Sequence, residues 1–315
     1  MTDPSDSPTV REPLPGSGEL DAVIMGERRR LLNVAYRLLG SLAEAEDAVQ
    51  EAYTRWYSLS AEQQIGVVSP GAWLSTVTSR ICLNVLRSAR ARRESYVGEW
   101  IPEPLPDTAP ADRRLVPPTT DPADQITLDE SVNMPLLVVL ESMTPAERVA
   151  FILHDVFGYP FAEIAQIVGR TPGACRQLAT SARRRVKAST RAPTSPSRDE
   201  AEIVREFKQA WQAKDVERLI GLLAPDAVAT ADGGGRVTTF TEPIIGGDQV
   251  AAAWAALADR ATPDQALLER TVNGRPGLVA VRAGTVRTVF AFDVVGDRIQ
   301  HIWVVANPAK LRPWQ

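Results

Sequence analysis

Apolar residues return every third or fourth position through 20–93 and again through 125–189, the spacing that lines up one face of an α-helix. Leu31, Val34, Ala35 and Leu38 form a first stripe, and Gly40 stands where that helix would stop. Ser41 with Glu44 spells a capping box for a second helix. On it Ala45, Val49, Ala52 and Trp56 share one face, and Glu44, Asp47 and Glu51 another. After Pro70 a third helix is predicted, with Trp73, Val77, Ile81 and Val85 stepping by four and Arg80, Asn84 and Arg87 on a different face. In the second stretch, Thr144-Pro145-Ala146-Glu147 is a helix start: a capping Thr, Pro at the first position, Glu at the third. Val149, Ile152, Leu153 and Val156 supply its apolar face, and Gly158 ends it. Two short helices follow around a Gly169 turn, the second opened by Thr171-Pro172, which is the layout of a helix-turn-helix.

From 199 to 315 the pattern changes. Ile203, Phe207 and Trp211 mark an opening helix, and "DQVAAAWAALADR" marks another. "AVATADGGGRVTTF" reads as a hairpin around Gly233–Gly235. The remainder reads as three or four strands with turns at Asn273-Gly274 and Gly296-Asp297. The expected unit is α+β, with helices first and a curved antiparallel sheet after.

The segments between these blocks are rich in proline, which breaks helices: 94–124, carrying "WIPEPLPDTAPADRRLVPPTTDP", and 190–198. Residues 1–19 are polar and Pro-rich, without the basic start and apolar run of a secretion signal, and read as a disordered tail. No apolar stretch is long enough to span a membrane. Cys82 and Cys175 are the only cysteines and lie in different blocks, which argues against a disulfide framework and fits a reducing cytoplasm. With His154 and His301 as the only histidines, no metal-ligand cluster is visible and no cofactor is implied.

Charge is distributed unevenly. The chain carries a net charge of -4, yet Thr171–Lys187 holds five basic residues and no acid. Cys175, Ala179, Ala182 and Val186 give this helix an inward face and leave Arg176, Gln177, Thr180, Arg183 and Arg184 outward. Arg and Gln at the front of such a helix can read base edges in a major groove, and a basic rear can neutralise phosphates. A solvated helix end favoured by the dipole is the plain alternative. Arg80, Arg87, Arg90, Arg92 and Arg93 form a second acid-free run, so two basic helical ends stand about one domain apart. Glu44, Asp47 and Glu51 would be repelled by DNA, which favours a protein partner for that face.

These residues carry a specific resemblance. "AEDAVQEAYTRWY", "PGAWLSTVTSRICLNVLRSARARR" and "MTPAERVAFILHDVFGYPFAEIAQIVGRTPGACRQLATSARRRV" resemble, in order and spacing, three regions of a sigma-70 family factor of the extracytoplasmic-function group. The resemblance implies that 20–93 docks on the clamp helices of core RNA polymerase through Glu44, Asp47, Gln50 and Glu51, and reads the -10 element through Arg80, Asn84, Arg87 and Arg90. It implies that 125–189 reads the -35 element through Arg170, Thr171, Arg176, Gln177, Thr180, Arg183 and Arg184. Arg80 stands where many members carry Asn, and Asn84 where many carry Asp. The block 199–315 resembles a SnoaL-like domain of the nuclear transport factor 2-like superfamily, an α+β cone with a cavity, fused to sigma factors in one subgroup. Three signatures carry this: "WIPEP" with Trp100, Pro102, Glu103 and Pro104; "DGGGR" with Asp232, Gly233, Gly234, Gly235 and Arg236; and "NPAKL" with Asn307, Pro308, Lys310 and Leu311. Ile101 replaces the usual Leu and Ala309 the usual Asp. The resemblance implies a multidomain chain of two all-α domains plus this cone, which regulates the factor, with a small apolar ligand as one occupant of its cavity.

Two other readings stand beside it. A ligand-sensing helix-turn-helix regulator would have no use for the acidic docking helix. A small-molecule isomerase or cyclase would need an acid–base pair, and Asp232, Asp293 and His301 are the candidates the sequence offers.

Overall fold

The computed structural model describes residues 24–93, 96, 98–106, 132–189, 199–260 and 262–315, with backbone alone at 89–93. The expected tail, most of 94–124 and all of 190–198 lie outside the described residues.

The first helical unit comprises α1 (Arg28–Leu39), α2 (Leu42–Tyr57), the short α3 (Ala61–Ile65) and the long α4 (Pro70–Arg93). Gly40 ends α1 in the left-handed region, with φ of 69°. Ser41 caps α2 by accepting from the Glu44 N–H, but the carboxylate that accepts from the Leu42 N–H belongs to Glu103 of the linker. The linker carboxylate thus adds a cap at the first helical N–H, beside the Ser41 cap. The apolar stripe of α4 is rotated from the expected one. Leu74, Ile81, Cys82, Leu83 and Leu86 are buried, while Trp73, Val77 and Val85 are partly covered. The reason is that α4 packs on two sides, against α1 and α2 and against the second helical unit, so its buried arc is wider than one stripe. Trp73 meets Trp56 edge-on at 5.3 Å between ring centroids, a packing role.

The second unit comprises α5 (Met134–Glu141), α6 (Pro145–Phe151), a π-helical turn (Ile152–Val156), α7 (Phe161–Val168) and α8 (Pro172–Ser189). Thr144 and Glu147 form a complete capping box at α6. Gly169, with φ of 74°, makes the turn between α7 and α8. One continuous apolar core runs through both helical units, from Leu31 and Trp56 to Ile164 and Cys175.

The third unit opens with two helices, α9 (Glu200–Ala213) and α10 (Val216–Leu222), separated at Lys214, where the backbone turns left-handed. Then come β1 (Leu223–Asp232), β2 (Ile244–Ile245), α11 (Gly247–Asp259), β3 (Gln265–Val272), β4 (Arg275–Arg282), β5 (Thr285–Val295) and β6 (Arg298–Val305). The sheet order is β2-β1-β6-β5-β4-β3. It is mixed rather than antiparallel throughout, because β1 pairs with β6 in parallel. The expected hairpin at Gly233–Gly235 is instead a wide loop. Its return strand is two residues long and meets β1 at Val228↔Ile245, away from the glycines. The turns at Asn273-Gly274 and Gly296-Asp297 join antiparallel neighbours.

Period-two alternation gives the sheet two apolar faces. Phe290 and Phe292 point to α9, α10 and α11. Val289 and Ala291, with Val279, Trp303 and Val305, cover the opposite face. That face is packed by Ile101 of the linker and Met134 of α5. The three units therefore meet at the linker.

Candidate functional site

The basic helix α8 presents the face its pattern predicts. Thr171 caps it, accepting from the Ala174 N–H at 3.2 Å. Cys175, Ala179 and Ala182 are buried, while Arg170, Thr171, Arg176, Gln177, Arg183 and Arg184 are exposed. Thr180 is partly covered and donates its hydroxyl to the Arg176 carbonyl. A groove of about 440 Å³ runs along Gly173, Arg176, Gln177, Thr180 and Arg184. The Arg176 guanidinium lies over Phe161, which stacks on His154. Arg183 is tied to Asp155 of the π-helical turn at 2.6 Å.

On α4, Arg80, Asn84 and Arg87 share one exposed face. The Arg90 side chain lies outside the described residues. Arg80 does not point only to solvent: it donates to the Gln166 carbonyl of α7 at 3.0 Å. A second polar contact joins the units: the buried Arg148 of α6 donates to the Leu38 carbonyl of α1 at 3.0 Å, and also to Glu141 at 2.7 Å. Arg37 and Arg30 of α1 lie over the rings of Phe157 and Tyr159. The two helical units are thus closed on each other.

Asp47, Gln50 and Glu51 are exposed along α2, and Glu51 pairs with Arg55. Gln50 lines a groove of about 750 Å³ with Arg28, Val49, Tyr53 and Tyr57. Glu44 stands apart from the other three. It lines a separate cavity of about 370 Å³ with Tyr96, Trp100, Glu103, Lys310 and Arg312.

That cavity adjoins a clamp. The Asp232 carboxylate is wholly buried and accepts from Tyr96 Oη at 2.6 Å, Lys310 Nζ at 2.6 Å, the Ile101 N–H at 3.2 Å and the Gly234 N–H at 2.9 Å. Lys310 also donates to the Ile101 carbonyl, and its ammonium sits 3.9 Å from the centre of the Trp100 ring. Asn307 donates to Tyr96 Oη at 2.9 Å. Gly234 has φ of 63°, and a Cβ there would collide with the Asn307 side chain, so this corner admits only glycine. Ile101 is 1 % exposed between the units, and burying a side chain of that size stabilises by about 1.5–3 kcal/mol. The half-buried Trp314 donates its Nε1–H to the Pro104 carbonyl, and Pro102 and Pro104 are buried. Of the three sequence signatures, Trp100, Pro102, Glu103, Pro104, Asp232, Gly233, Gly234, Asn307, Lys310 and Leu311 gather at this junction. Gly235, Arg236 and Pro308 do not gather there and lie exposed.

The sigma-70 region 2 family matches residues 23–92, and the sigma-70 region 4 family matches residues 133–186. The chain is 38% identical over 295 residues to the ECF RNA polymerase sigma factor SigJ of Mycobacterium tuberculosis, covering 90% of each chain. The chain belongs to the sigma-70 family, as an ECF sigma factor. It is also 32% identical over 294 residues to the probable ECF sigma factor SigI of that organism, covering 93% of this chain and 95% of that one. The crystal structure of the M. tuberculosis SigJ superposes with a TM-score of 0.72, at 34% identity over 93% of this chain and 98% of the other. A factor of this family directs RNA polymerase to promoters and is not an enzyme. Among the described residues no helix of this sigma factor is long and apolar enough to cross a membrane, and no group of side chains could hold a metal ion.

Of the three acid–base candidates of the sigma factor, two come together and Asp232 stands apart. Asp293 and His301 face each other across β5 and β6 at 3.7 Å, on the sheet face away from the aromatic interior, and Asp293 also meets Arg275. Asp232 is taken up by the clamp. The interior, where the resemblance implies a ligand cavity, is packed by Phe207, Trp211, Trp254, Phe290 and Phe292 in mutual ring contact. The indole N–H groups of Trp211 and Trp254 are buried there without a hydrogen-bond partner.

Two groups stand out that sequence reading did not single out. Tyr36 of α1 donates to the Glu103 carbonyl at 2.7 Å, and Asn273, at the tip of the β3–β4 hairpin, donates to Tyr36 Oη at 3.1 Å. Tyr36 carries no motif and Asn273 only a turn signal, and each acts through a contact more than sixty positions away. Glu103, which was expected at the junction, has an unusual state. Its carboxylate accepts from Ser41 Oγ at 3.1 Å and from the Leu42 N–H at 2.9 Å. Burial pushes its pKa up to about 7, with Glu46 adding to the rise and the Leu42 and Ser41 hydrogen bonds and Lys310 opposing it.

Proposed function

We propose that this sigma factor is held inactive by its own C-terminal domain, through the linker, until core polymerase prises the helical units apart. The observation that carries the reading is the Arg80–Gln166 contact. It sets a residue expected to read the -10 element against the helix-turn-helix expected to read the -35 element. Packed helices lie roughly 8–10 Å apart. Readers of two separate promoter elements must stand farther apart than one DNA turn, about 34 Å. The closed form cannot do both.

On this reading α8 engages the -35 element through Arg170, Thr171, Arg176, Gln177, Thr180, Arg183 and Arg184. Arg80, Asn84, Arg87 and Arg90 engage the -10 element after opening. Asp47, Gln50 and Glu51, with the groove beside them, form the dock for the polymerase clamp helices. Glu44 belongs with the clamp cavity instead. The factor works in the cytoplasm, where its polymerase is.

In vitro transcription with core polymerase tests this. Trp100→Ala, which removes the ring under Lys310, changes promoter activity of the full chain severalfold and leaves a chain ended at residue 198 unaffected. An equal effect in both chains would place Trp100 in DNA or polymerase contact and remove the regulatory role.

A further inference from the structure

Asn273 occupies the first position of the Asn-Gly turn between β3 and β4. Residues at such a turn ordinarily face solvent and are chosen for tolerating positive φ. Asn273 has the positive φ, 51°, yet it is 1 % exposed. Its Nδ2 donates to Tyr36 Oη at 3.1 Å and to the Val132 carbonyl at 3.0 Å. Its Oδ1 accepts from the Leu105 N–H at 3.0 Å, and its own N–H donates to the Leu105 carbonyl at 2.9 Å. Those partners lie in three different parts of the chain: α1 of the first helical unit, the linker, and the entry to α5 of the second. Pro106 and Val272 form a β-bridge beside it. The Asp232–Lys310 pair grips the linker, whereas Asn273 grips the linker and both helical units at once.

We propose that Asn273 is the positioning residue by which the C-terminal domain fixes the two sigma units in the closed form. The inference rests on the regulatory reading above for its consequence in transcription, but not for its geometry. Both donor hydrogens of the amide are used and the oxygen is engaged, so no isosteric side chain can replace it. Asp keeps the acceptor for Leu105 but offers the Val132 carbonyl a second acceptor. Gly accepts the backbone angle and removes the side chain altogether.

Amide hydrogen exchange of the free full-length chain tests it, with Asn273→Gly, Asn273→Asp and Tyr36→Phe. Expected for both Asn273 variants is exchange on the order of tenfold faster at Glu103 and at Leu136 and Leu137 of α5, as one or two lost buried hydrogen bonds imply. The amides of the β4–β5 ladder keep their rates. Tyr36→Phe gives a smaller rise alone and adds less than that rise on top of Asn273→Gly, because both changes break the same link. Faster exchange confined to Leu105 and the turn would overturn the assignment, as would a matching rise across the β4–β5 ladder, which marks loss of the domain itself. Transcription with core polymerase then separates the two claims. Release at Glu103 and α5 with unchanged transcription keeps Asn273 in its positioning role and removes the regulatory reading. Unchanged exchange removes Asn273 and leaves that reading to stand or fall on Trp100.

Discussion

The two helical units meet through a shared apolar core, whereas the C-terminal domain meets them through buried hydrogen bonds and an ion pair set around a smaller apolar patch. The difference matters for control. Apolar contact is nearly additive and weakly directional, so removing one group weakens it by that group's share. A buried polar network is closer to all-or-none, because losing one partner leaves another desolvated and unpaired. On the proposed regulatory reading, the clamp is the place where a small change would open the molecule, and the helical contact is the weaker lever.

The largest expected effect follows from the Asp232–Lys310 pair. Lys310→Met keeps the length of the side chain and leaves a wholly buried carboxylate without its cation. Breaking a buried pair from one side costs roughly 3–5 kcal/mol. Exchange of the Ile101 and Glu103 amides should therefore rise by roughly a hundredfold to a few thousandfold. Adding Asp232→Asn to Lys310→Met should recover part of that loss, since no uncompensated charge remains. A double variant as exposed as the single would mean that the charge is not what holds the linker, and the contrast between the two contacts would fade.

A pH effect comes next. The clamped Glu103 carboxyl titrates near 7, against an ordinary 4.5 when released. The clamped form therefore binds a proton that the released form gives up between those values. Its hold is full below about pH 4.5, falls as pH rises through that window, and is level above about pH 7. Glu46 and Glu44 on α2 and Lys310 and Arg312 beyond the cavity are the charged groups facing it, and the buried Tyr36 hydroxyl bonds its carbonyl. Between about pH 6 and about pH 8 the ratio of open to closed chain should rise roughly tenfold. Glu103→Gln, whose amide oxygen can still accept from both Leu42 and Ser41, should flatten that dependence. Amide exchange corrected for its intrinsic pH dependence reads both, and a persisting slope in Glu103→Gln would move the titration to another group.

What could be read in the sequence divides along the same line. Helices α1, α2, α6 and α8 were legible because local signals agreed: Gly40, Ser41, the Thr144–Glu147 box and the Thr171-Pro172 start each act within one turn. The outward face of α8 followed from periodicity alone. The second buried side of α4 did not, because periodicity records that a residue is covered and not by what. Asp232 shows up in the sequence as part of the DGGGR signature, and it does accept from Gly234 nearby, but its other three donors come from Tyr96, Ile101 and Lys310. Asn273 shows the limit most clearly. Its local role as a turn residue and its long-range role are met by the same amide and backbone angle, so the first hides the second. The mixed sheet was misread for a related reason: strand direction is set by the path of the chain between β1 and β6, which no local pattern encodes.

The smallest effect on closure should come from Arg80, and it tests the other contact. Its guanidinium is exposed and gives one hydrogen bond to Gln166, so Arg80→Ala should weaken the helical contact by at most about 1 kcal/mol. That is a severalfold shift toward the open chain. The same substitution removes a residue expected on DNA, which should lower promoter affinity and reduce its salt dependence by about one phosphate contact if the arginine meets the backbone. The two consequences have opposite signs in transcription. They separate in a Lys310→Met background, where the chain is already released and the opening gain has nothing left to add. There Arg80→Ala should show only the loss, and a larger loss than in the native chain. An equal loss in both backgrounds would mean that Arg80 takes no part in closure, leaving the apolar core alone to join the helical units.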